Sequence, residues 1–156
     1  MSGPIGLHGG GEFQSGDEPF LDALLAAAGT SAAVRDGEDR SDAPVRIVIL
    51  PTAAARGRPD RAAAMGIAAL TRQADAEGRR IQIDVAPVVD TVSANLAANT
   101  ALLAAADLIH LPGGDPDLVP AILAGTLALV AIQLARARGA TVAGASAGGM
   151  ALADWS

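Results

Sequence analysis

Short apolar runs recur along the chain and alternate with longer, alanine-rich segments. The run at 45–50, VRIVIL, is continuous and β-branched, which is typical of a strand buried on both faces of a parallel sheet. The run that starts at Ile81 alternates at first, IQIDV, and this also indicates a strand. The predicted strands are Ile5–His8, Val45–Leu50, Ile81–Val89, Asp107–Leu111 and Ala140–Ala143.

The segments between these runs carry helix start and stop signals. Pro59 opens a helix that reaches about Gly78 and places Ala63, Ile67 and Leu70 on one face. Phe20–Ala28 is a predicted helix that stops at Gly29, and Leu127–Arg138 is another. A third predicted helix reaches Ala106 from a cap at Asp90, Thr91 or Ser93, and a fourth runs from Asp115-Pro116 to Gly125. The polar stretch 30–44 predicts a flexible connection.

Strands that alternate with helices predict an α/β fold, and the length of 156 residues predicts a single domain over 1–156. We expect a three-layer α/β/α sandwich with a mostly parallel sheet. In such sheets the working site lies at the carboxyl ends of the strands. Glycine-rich loops follow three of the strands, at 9–11, 113–114 and 144–149, and we expect them to meet in one crevice.

Composition excludes several classes of function. With 11 basic and 17 acidic residues the net charge is −6, and without a basic patch we expect no nucleic-acid binding. The absence of cysteine excludes disulfides, thiol catalysis and thiolate metal sites, and fits a cytoplasmic location. The uncharged stretch 118–135 is interrupted by Pro120, Gly125 and Gln133, so it predicts two helices and no membrane span. No G-x-G-x-x-G or G-K-[ST] pattern occurs, and we expect neither cofactor nor metal.

The stretch 140–152, ATVAGASAGGMAL, predicts a strand, a tight turn and a helix with Ser146 at the apex. This is the layout of a nucleophile elbow, G-x-S-x-G, in which the sharp turn lifts the serine out of the sheet. Ser146 is therefore the candidate nucleophile. The alternative is a small residue that a tight turn requires.

Other candidate residues have two readings each. Gly113 and Gly114 form either a turn that needs positive φ or a bare backbone that approaches a substrate carbonyl. Asp115 is better explained as a helix cap than as a catalytic acid, and Glu12 as a loop residue near the site than as a catalyst. His8 and His110 end predicted strands at the crevice and are candidate bases that we do not favour. Arg56 and Arg58 follow the second strand at the same edge, as carboxylate ligands or as solvated charges.

The sequence resembles the cyanophycinase and dipeptidase E family of serine peptidases, within the class I glutamine amidotransferase-like fold. The resemblance rests on four stretches, in the family's order: LHGGGEF near the start, VRIVILPTAA at 45–54, ADLIHLPGGDPDLVPAILAGT at 106–126, and VAGASAGGMAL at 142–152. A glycine pair after a strand, followed by a G-x-S-A-G elbow, is the most specific part.

The resemblance implies a serine hydrolase of peptide or isopeptide bonds, often next to aspartyl residues. Ser146 matches the nucleophile, and the N–H groups of Gly114 and Ala147 match the oxyanion hole. Substrate contacts are expected from four loop residues: Gly10, Gly11, Gly113 and Asp115. In the family the histidine base and its acidic partner lie downstream of the serine. We therefore expect this chain to be an amino-terminal portion, with little or no peptidase activity alone.

Two other functions remain open on the sequence. The same fold can serve as a non-catalytic binding or sensor domain, and an α/β-hydrolase esterase shares the G-x-S-x-G elbow. The Pro112-Gly113-Gly114 loop ahead of the elbow favours the peptidase family over the esterase. The oligomeric state is also open, with a homodimer as the candidate, because a truncated sheet would expose apolar surface.

Overall fold

The computed structural model describes residues 2–35 and 43–153. In this part of the chain the strands and α-helices follow one another in the order β1 Ile5–His8, α1 Glu18–Arg35, β2 Val45–Ile49, α2 Pro59–Ala76, β3 Ile81–Val85, α3 Ala97–Ala105, β4 Leu108–Leu111, α4 Leu118–Leu123, α5 Leu127–Arg138, β5 Thr141–Ala145 and α6 Ala147–Ala153. Two short 3-10 turns, Thr52–Ala54 and Ser93–Asn95, follow β2 and precede α3.

The five strands form one sheet in the order β1-β5-β4-β2-β3, and every pair is parallel. Because all strands run the same way, their carboxyl ends lie along one edge of the sheet. β1, β5 and β4 are neighbours, so the loops after these strands are brought side by side. The predicted α/β/α sandwich with a parallel sheet is confirmed.

Alternate residues of the central strands enter different hydrophobic layers. Ile47 and Ile49 belong to the cluster that contains the buried leucines of α1 and α2. Val48 and Leu50 belong to the opposite cluster, which includes residues of α3, α4, α5 and α6. β2 is thus buried on both faces, as its continuous apolar run predicted.

The first helix is longer than the sequence predicted. α1 continues through Gly29 to Arg35, because Ala32 is buried in the cluster that contains residues of β2 and β4, and this packing outweighs the weak helix propensity of glycine. Residues 30–35 of the predicted flexible connection are therefore helical. The remainder of that prediction, 36–42, lies outside the described residues.

Several other predicted boundaries are wrong by a few residues. β3 ends at Val85, four residues before the predicted end. Asp90 and Ser93 exchange hydrogen bonds around a 3-10 turn, and α3 begins only at Ala97. The local side-chain bonds of these two residues compete with helix formation.

The uncharged stretch at 118–135 forms two separate helices, as predicted. α4 ends at Leu123 and α5 begins at Leu127 after the cap Thr126, whose side chain accepts the Leu129 N–H. Gly139 ends α5 in the left-handed conformation. No helix within 2–35 and 43–153 combines the length and apolar character that a membrane span requires.

Candidate active site

Ser146 occupies the turn between β5 and α6 with a φ of 49°. Positive φ is uncommon outside glycine and places strain of about 1–3 kcal/mol in the backbone. The serine side chain is half-buried, between the fully buried Ala145 and Ala147. The predicted strand, tight turn and helix are therefore present, with the serine at the strained position.

The glycines of the elbow are required by close backbone contacts. A Cβ on Gly144 would lie 2.5 Å from the carbonyl carbon of Gly148, and a Cβ on Gly148 would lie 2.2 Å from the carbonyl oxygen of Leu111. Any side chain at these positions would push α6 away from β5 and β4. The small residues around Ser146 thus allow the helix to begin directly on top of the sheet.

Three glycine loops come together at Ser146. Its backbone N–H donates to the carbonyl of His8 over 2.9 Å. A Cβ built on Gly10 would lie 3.9 Å from Ser146 Oγ, and one built on Gly113 would lie 3.2 Å from Ser146 Cβ. Gly11, by contrast, has the side chain of Gln14 as its nearest neighbour. Of the predicted substrate contacts, Gly10 and Gly113 border the serine and Gly11 does not.

The loop of Gly113 and Gly114 is pressed against the 3-10 turn that follows β2. A Cβ on Gly114 would lie 2.2 Å from the carbonyl oxygen of Ala53, so only glycine fits. That same oxygen accepts the N–H of Asp115 over 2.7 Å. Within the described residues, the N–H groups of Gly114 and Ala147 donate no hydrogen bond. These two donors are the ones that the resemblance assigns to an oxyanion hole.

Asp115 does not cap α4, contrary to the sequence prediction. Its carboxylate accepts the N–H of Asp117 over 3.0 Å, and its carbonyl accepts that of Leu118. A turn therefore separates Pro116 from the helix, which begins at Leu118.

His8 forms a hydrogen-bonded pair that the sequence did not suggest. Its Nε2 lies 3.0 Å from Asp17 Oδ1, and its Nδ1 accepts a long hydrogen bond from the Gly10 N–H. Asp17 Oδ2 accepts the N–H of Gln14. Because Nδ1 is an acceptor, we assign the proton to Nε2, which donates it to Asp17. The pair ties the glycine loop after β1 to the start of α1.

His110 is almost completely buried near the end of β4. Only 1% of it is exposed, its ring packs 5.2 Å from the Phe13 ring, and neither ring nitrogen has a hydrogen-bond partner among the described residues. Burial lowers its pKa to about 4, with the nearby Glu12 opposing the shift and His8 adding to it. His110 is thus held neutral. Its side chain and that of His8 make no hydrogen bond to Ser146 within 2–35 and 43–153.

A cavity of about 480 Å³ opens beside Gly113 and Gly114. Three arginines line it: Arg56 and Arg58 from the loop after β2, and Arg61 from the first turn of α2. None of the three pairs with a carboxylate of the described residues. Arg61 was not singled out from the sequence. Its position offered a signal, because Pro59 marks a helix start and Arg61 lies in that first turn, three residues after Arg58.

The acidic residues Glu12 and Asp115 also line this cavity. The described part of the chain contains no group of three or more His, Asp and Glu side chains placed to hold a metal ion.

Comparison with known proteins finds a likeness to solved structures. No family model and no curated protein matches the chain. A crystal structure of a peptidase from an acI-B1 Actinobacterium is similar, with a TM-score of 0.72 and 28% sequence identity over 95% of this chain. The chain spans 55% of the length of that peptidase. The α/β/α fold described above is therefore one that a solved peptidase shares.

Proposed function

We propose that this chain carries the nucleophile and oxyanion hole of a serine-type peptidase of the cyanophycinase and dipeptidase E kind. The observation that carries the proposal is Ser146 at φ 49° on a strand-turn-helix elbow. The fold shared with a solved peptidase supports hydrolysis of peptide or isopeptide bonds as the reaction class.

In the proposed reaction Ser146 Oγ attacks the scissile carbonyl carbon and gives up its proton to a base. The carbonyl oxygen becomes an oxyanion, which the N–H groups of Gly114 and Ala147 stabilise. Donors that are already oriented cost no reorganisation, and loss of one such donor slows acyl transfer by about 10²–10³-fold. Both amides are without an acceptor among the described residues, which supports this role.

Neither histidine is hydrogen-bonded to Ser146 among the described residues. His8 has Nε2 on Asp17 and Nδ1 on the Gly10 N–H, and both ring nitrogens of His110 are buried. Because neither histidine is bonded to Ser146 among the described residues, we expect the 156 residues tested alone to turn over little or no peptide.

The substrate is proposed to carry a carboxylate next to the scissile bond, as an aspartyl peptide does. Arg56, Arg58 and Arg61 bring three positive charges to the cavity beside Gly114, whereas the whole chain has a net charge of −6. The carboxylates of Glu12 and Asp115 offset two of these charges, so the arginines remain in excess. A guanidinium group can bind a carboxylate through two parallel hydrogen bonds. A small acidic peptide or isopeptide is the partner that this cavity suits.

Covalent labelling tests the nucleophile. The purified chain would be treated with a fluorophosphonate and mapped by peptide mass spectrometry, beside Ser146→Ala and the control Ser15→Ala, which removes an exposed serine. We expect one adduct, at Ser146, that is lost in Ser146→Ala and kept in Ser15→Ala. Without a bonded base the reaction should be slow, but the N–H donors of Gly114 and Ala147 should still make Ser146 react faster than the other serines. Labelling of Ser146 no faster than of the other serines would exclude a working oxyanion hole at Ser146.

The second candidate is a non-catalytic binding domain. It is favoured by the absence, within the described residues, of a histidine bonded to Ser146. It predicts that acidic peptides bind in the arginine-lined cavity while Ser146 stays unlabelled.

A further inference from the structure

Glu12 connects two loops that are distant in sequence. It lies in the glycine loop after β1, and its Oε1 accepts the backbone N–H of Gly113, in the loop after β4, over 2.8 Å. The two residues are 101 positions apart. A carboxylate that accepts a backbone N–H makes a charge-assisted hydrogen bond, stronger than a neutral one.

The residue that follows Glu12 has a strained backbone conformation, which is held in place by packing of its side chain. Phe13 has a φ of 68°, which for an aromatic residue is a true outlier. Its ring is held between His110, at 5.2 Å between ring centres, and α2, where a Cβ on Gly66 would lie 3.4 Å from Phe13 Cζ. Strain of this kind persists only where the surroundings hold it, and it concentrates at functional sites.

The hydrogen bonds on either side of Gly114 leave its own N–H as the available donor. Before it, the Gly113 N–H is taken by Glu12. After it, the Asp115 N–H is taken by the Ala53 carbonyl. The loop is therefore held at both flanking peptides, and the amide between them has no acceptor within the described residues, so it can donate to a ligand.

We propose that Glu12 is a positioning residue that holds the Gly113-Gly114 peptide in the orientation required of an oxyanion donor. This inference rests on the proposed function, because it concerns the same oxyanion hole. Glu12 acts through Gly113 and takes no proton from Ser146. Without its carboxylate the Gly113 N–H loses its acceptor, and the loop is anchored on the Ala53 side alone.

The test compares three variants of the full 156-residue chain. Glu12→Ala removes the acceptor, and Glu12→Gln keeps an oxygen that can still accept the Gly113 N–H. Glu18→Ala is the matched control, because Glu18 accepts the N–H of Gly16 over 2.7 Å near the same loop without reaching the elbow. Two quantities are measured: amide hydrogen exchange of Gly113 and Gly114 by NMR, and the rate of fluorophosphonate labelling at Ser146.

We expect Glu12→Ala to speed exchange at Gly113 by at least about tenfold, since the amide loses its acceptor. Labelling at Ser146 should slow by about 10- to 100-fold, because a small displacement of a catalytic group has effects of that size. Glu12→Gln should restore both to within a few-fold of the wild type, and Glu18→Ala should leave both unchanged.

Unchanged exchange at Gly113 in Glu12→Ala would overturn the proposal, as would faster exchange with unchanged labelling. If wild-type Ser146 is not labelled at all, the proposed function fails. The exchange measurement then still decides whether Glu12 orders the Gly113-Gly114 peptide.

Discussion

The backbone N–H of Ser146 donates a hydrogen bond to the carbonyl oxygen of His8, and the two atoms lie 2.9 Å apart. This bond continues the pairing of β1 with β5 by one residue beyond the register pair His8 and Ala145. The strained turn at Ser146 is therefore held by the sheet itself. The turn also requires α6 to pack closely against the strands.

The first prediction concerns that close contact. Gly148→Ala would place a Cβ 2.2 Å from the Leu111 carbonyl oxygen, so the backbone of α6 or β4 must move. We expect the free energy of unfolding to fall by about 2–4 kcal/mol. Urea denaturation followed by circular dichroism measures the change.

Gly9→Ala is the control for that experiment, because a Cβ on Gly9 would meet nothing within 4 Å. We expect it to change the free energy of unfolding by less than about 0.5 kcal/mol. Equal stability of Gly148→Ala and wild type would contradict the described contact between the elbow helix and β4.

The second prediction concerns the arginines of the cavity. In a Ser146→Ala background, we expect a dipeptide with an amino-terminal aspartyl residue to bind, and Arg61→Ala or Arg56→Ala to weaken binding by about tenfold. Replacing the aspartyl residue of the ligand by asparagine should have a similar effect. Isothermal titration calorimetry gives the affinities.

Arg72→Ala removes an exposed arginine from the same helix as Arg61, outside the cavity, and serves as the control. Its affinity for the dipeptide should match that of the parent protein. If aspartyl and asparaginyl ligands bind equally well, the cavity does not select a carboxylate.

The third prediction follows from the burial of His110, which lowers its pKa to about 4 from an ordinary 6.5. Between these two values the unfolded chain binds a proton that the folded chain does not, so this group makes the folded state less stable as the pH falls. At pH 4.5 the wild type should have lost about 2–3 kcal/mol from this source alone, relative to pH 7.

His110→Leu isolates the effect, because it removes the titrating ring, whose nitrogens have no partner in the described part of the chain, and keeps an apolar side chain of similar size. Urea denaturation at each pH measures the fall in the free energy of unfolding from pH 7 to pH 4.5. This fall should be smaller in the variant than in the wild type by about 2–3 kcal/mol. Parallel losses in the two proteins would mean that His110 takes up its proton without a penalty.

The strands and the meeting of the glycine loops could be predicted because both depend on local pattern plus one general rule. The apolar runs of β2 and β4 identify buried strands, and parallel strands bring their carboxyl ends to one edge. Gly10 and Gly113 therefore lie next to Ser146 without any long-range signal in the sequence. The chemical roles of Ser146, Gly114 and Ala147 remain predictions that labelling must test.

The contacts that sequence reasoning missed all depend on tertiary structure. The hydrogen bond from the backbone N–H of Gly113 to the Glu12 carboxylate, and the pairing of His8 with Asp17, link residues that no periodicity in the sequence pairs. The extension of α1 past Gly29 was missed for a related reason, since the helix is held there by packing against the sheet. Local propensity can be read from neighbours in the chain, whereas these features need neighbours in space.

The strand order has a further consequence for how the sheet is assembled. In the described sheet β1 pairs with β5 alone, so this pair closes the longest loop between neighbouring strands, as the register of Ile5 with Val142 indicates. β2, β3 and β4 can associate earlier, because their partners are closer along the chain and the loops to be closed are shorter. The serine turn, whose N–H donates to the His8 carbonyl, therefore depends on the strand pairing that costs the most loop-closure entropy in the described sheet.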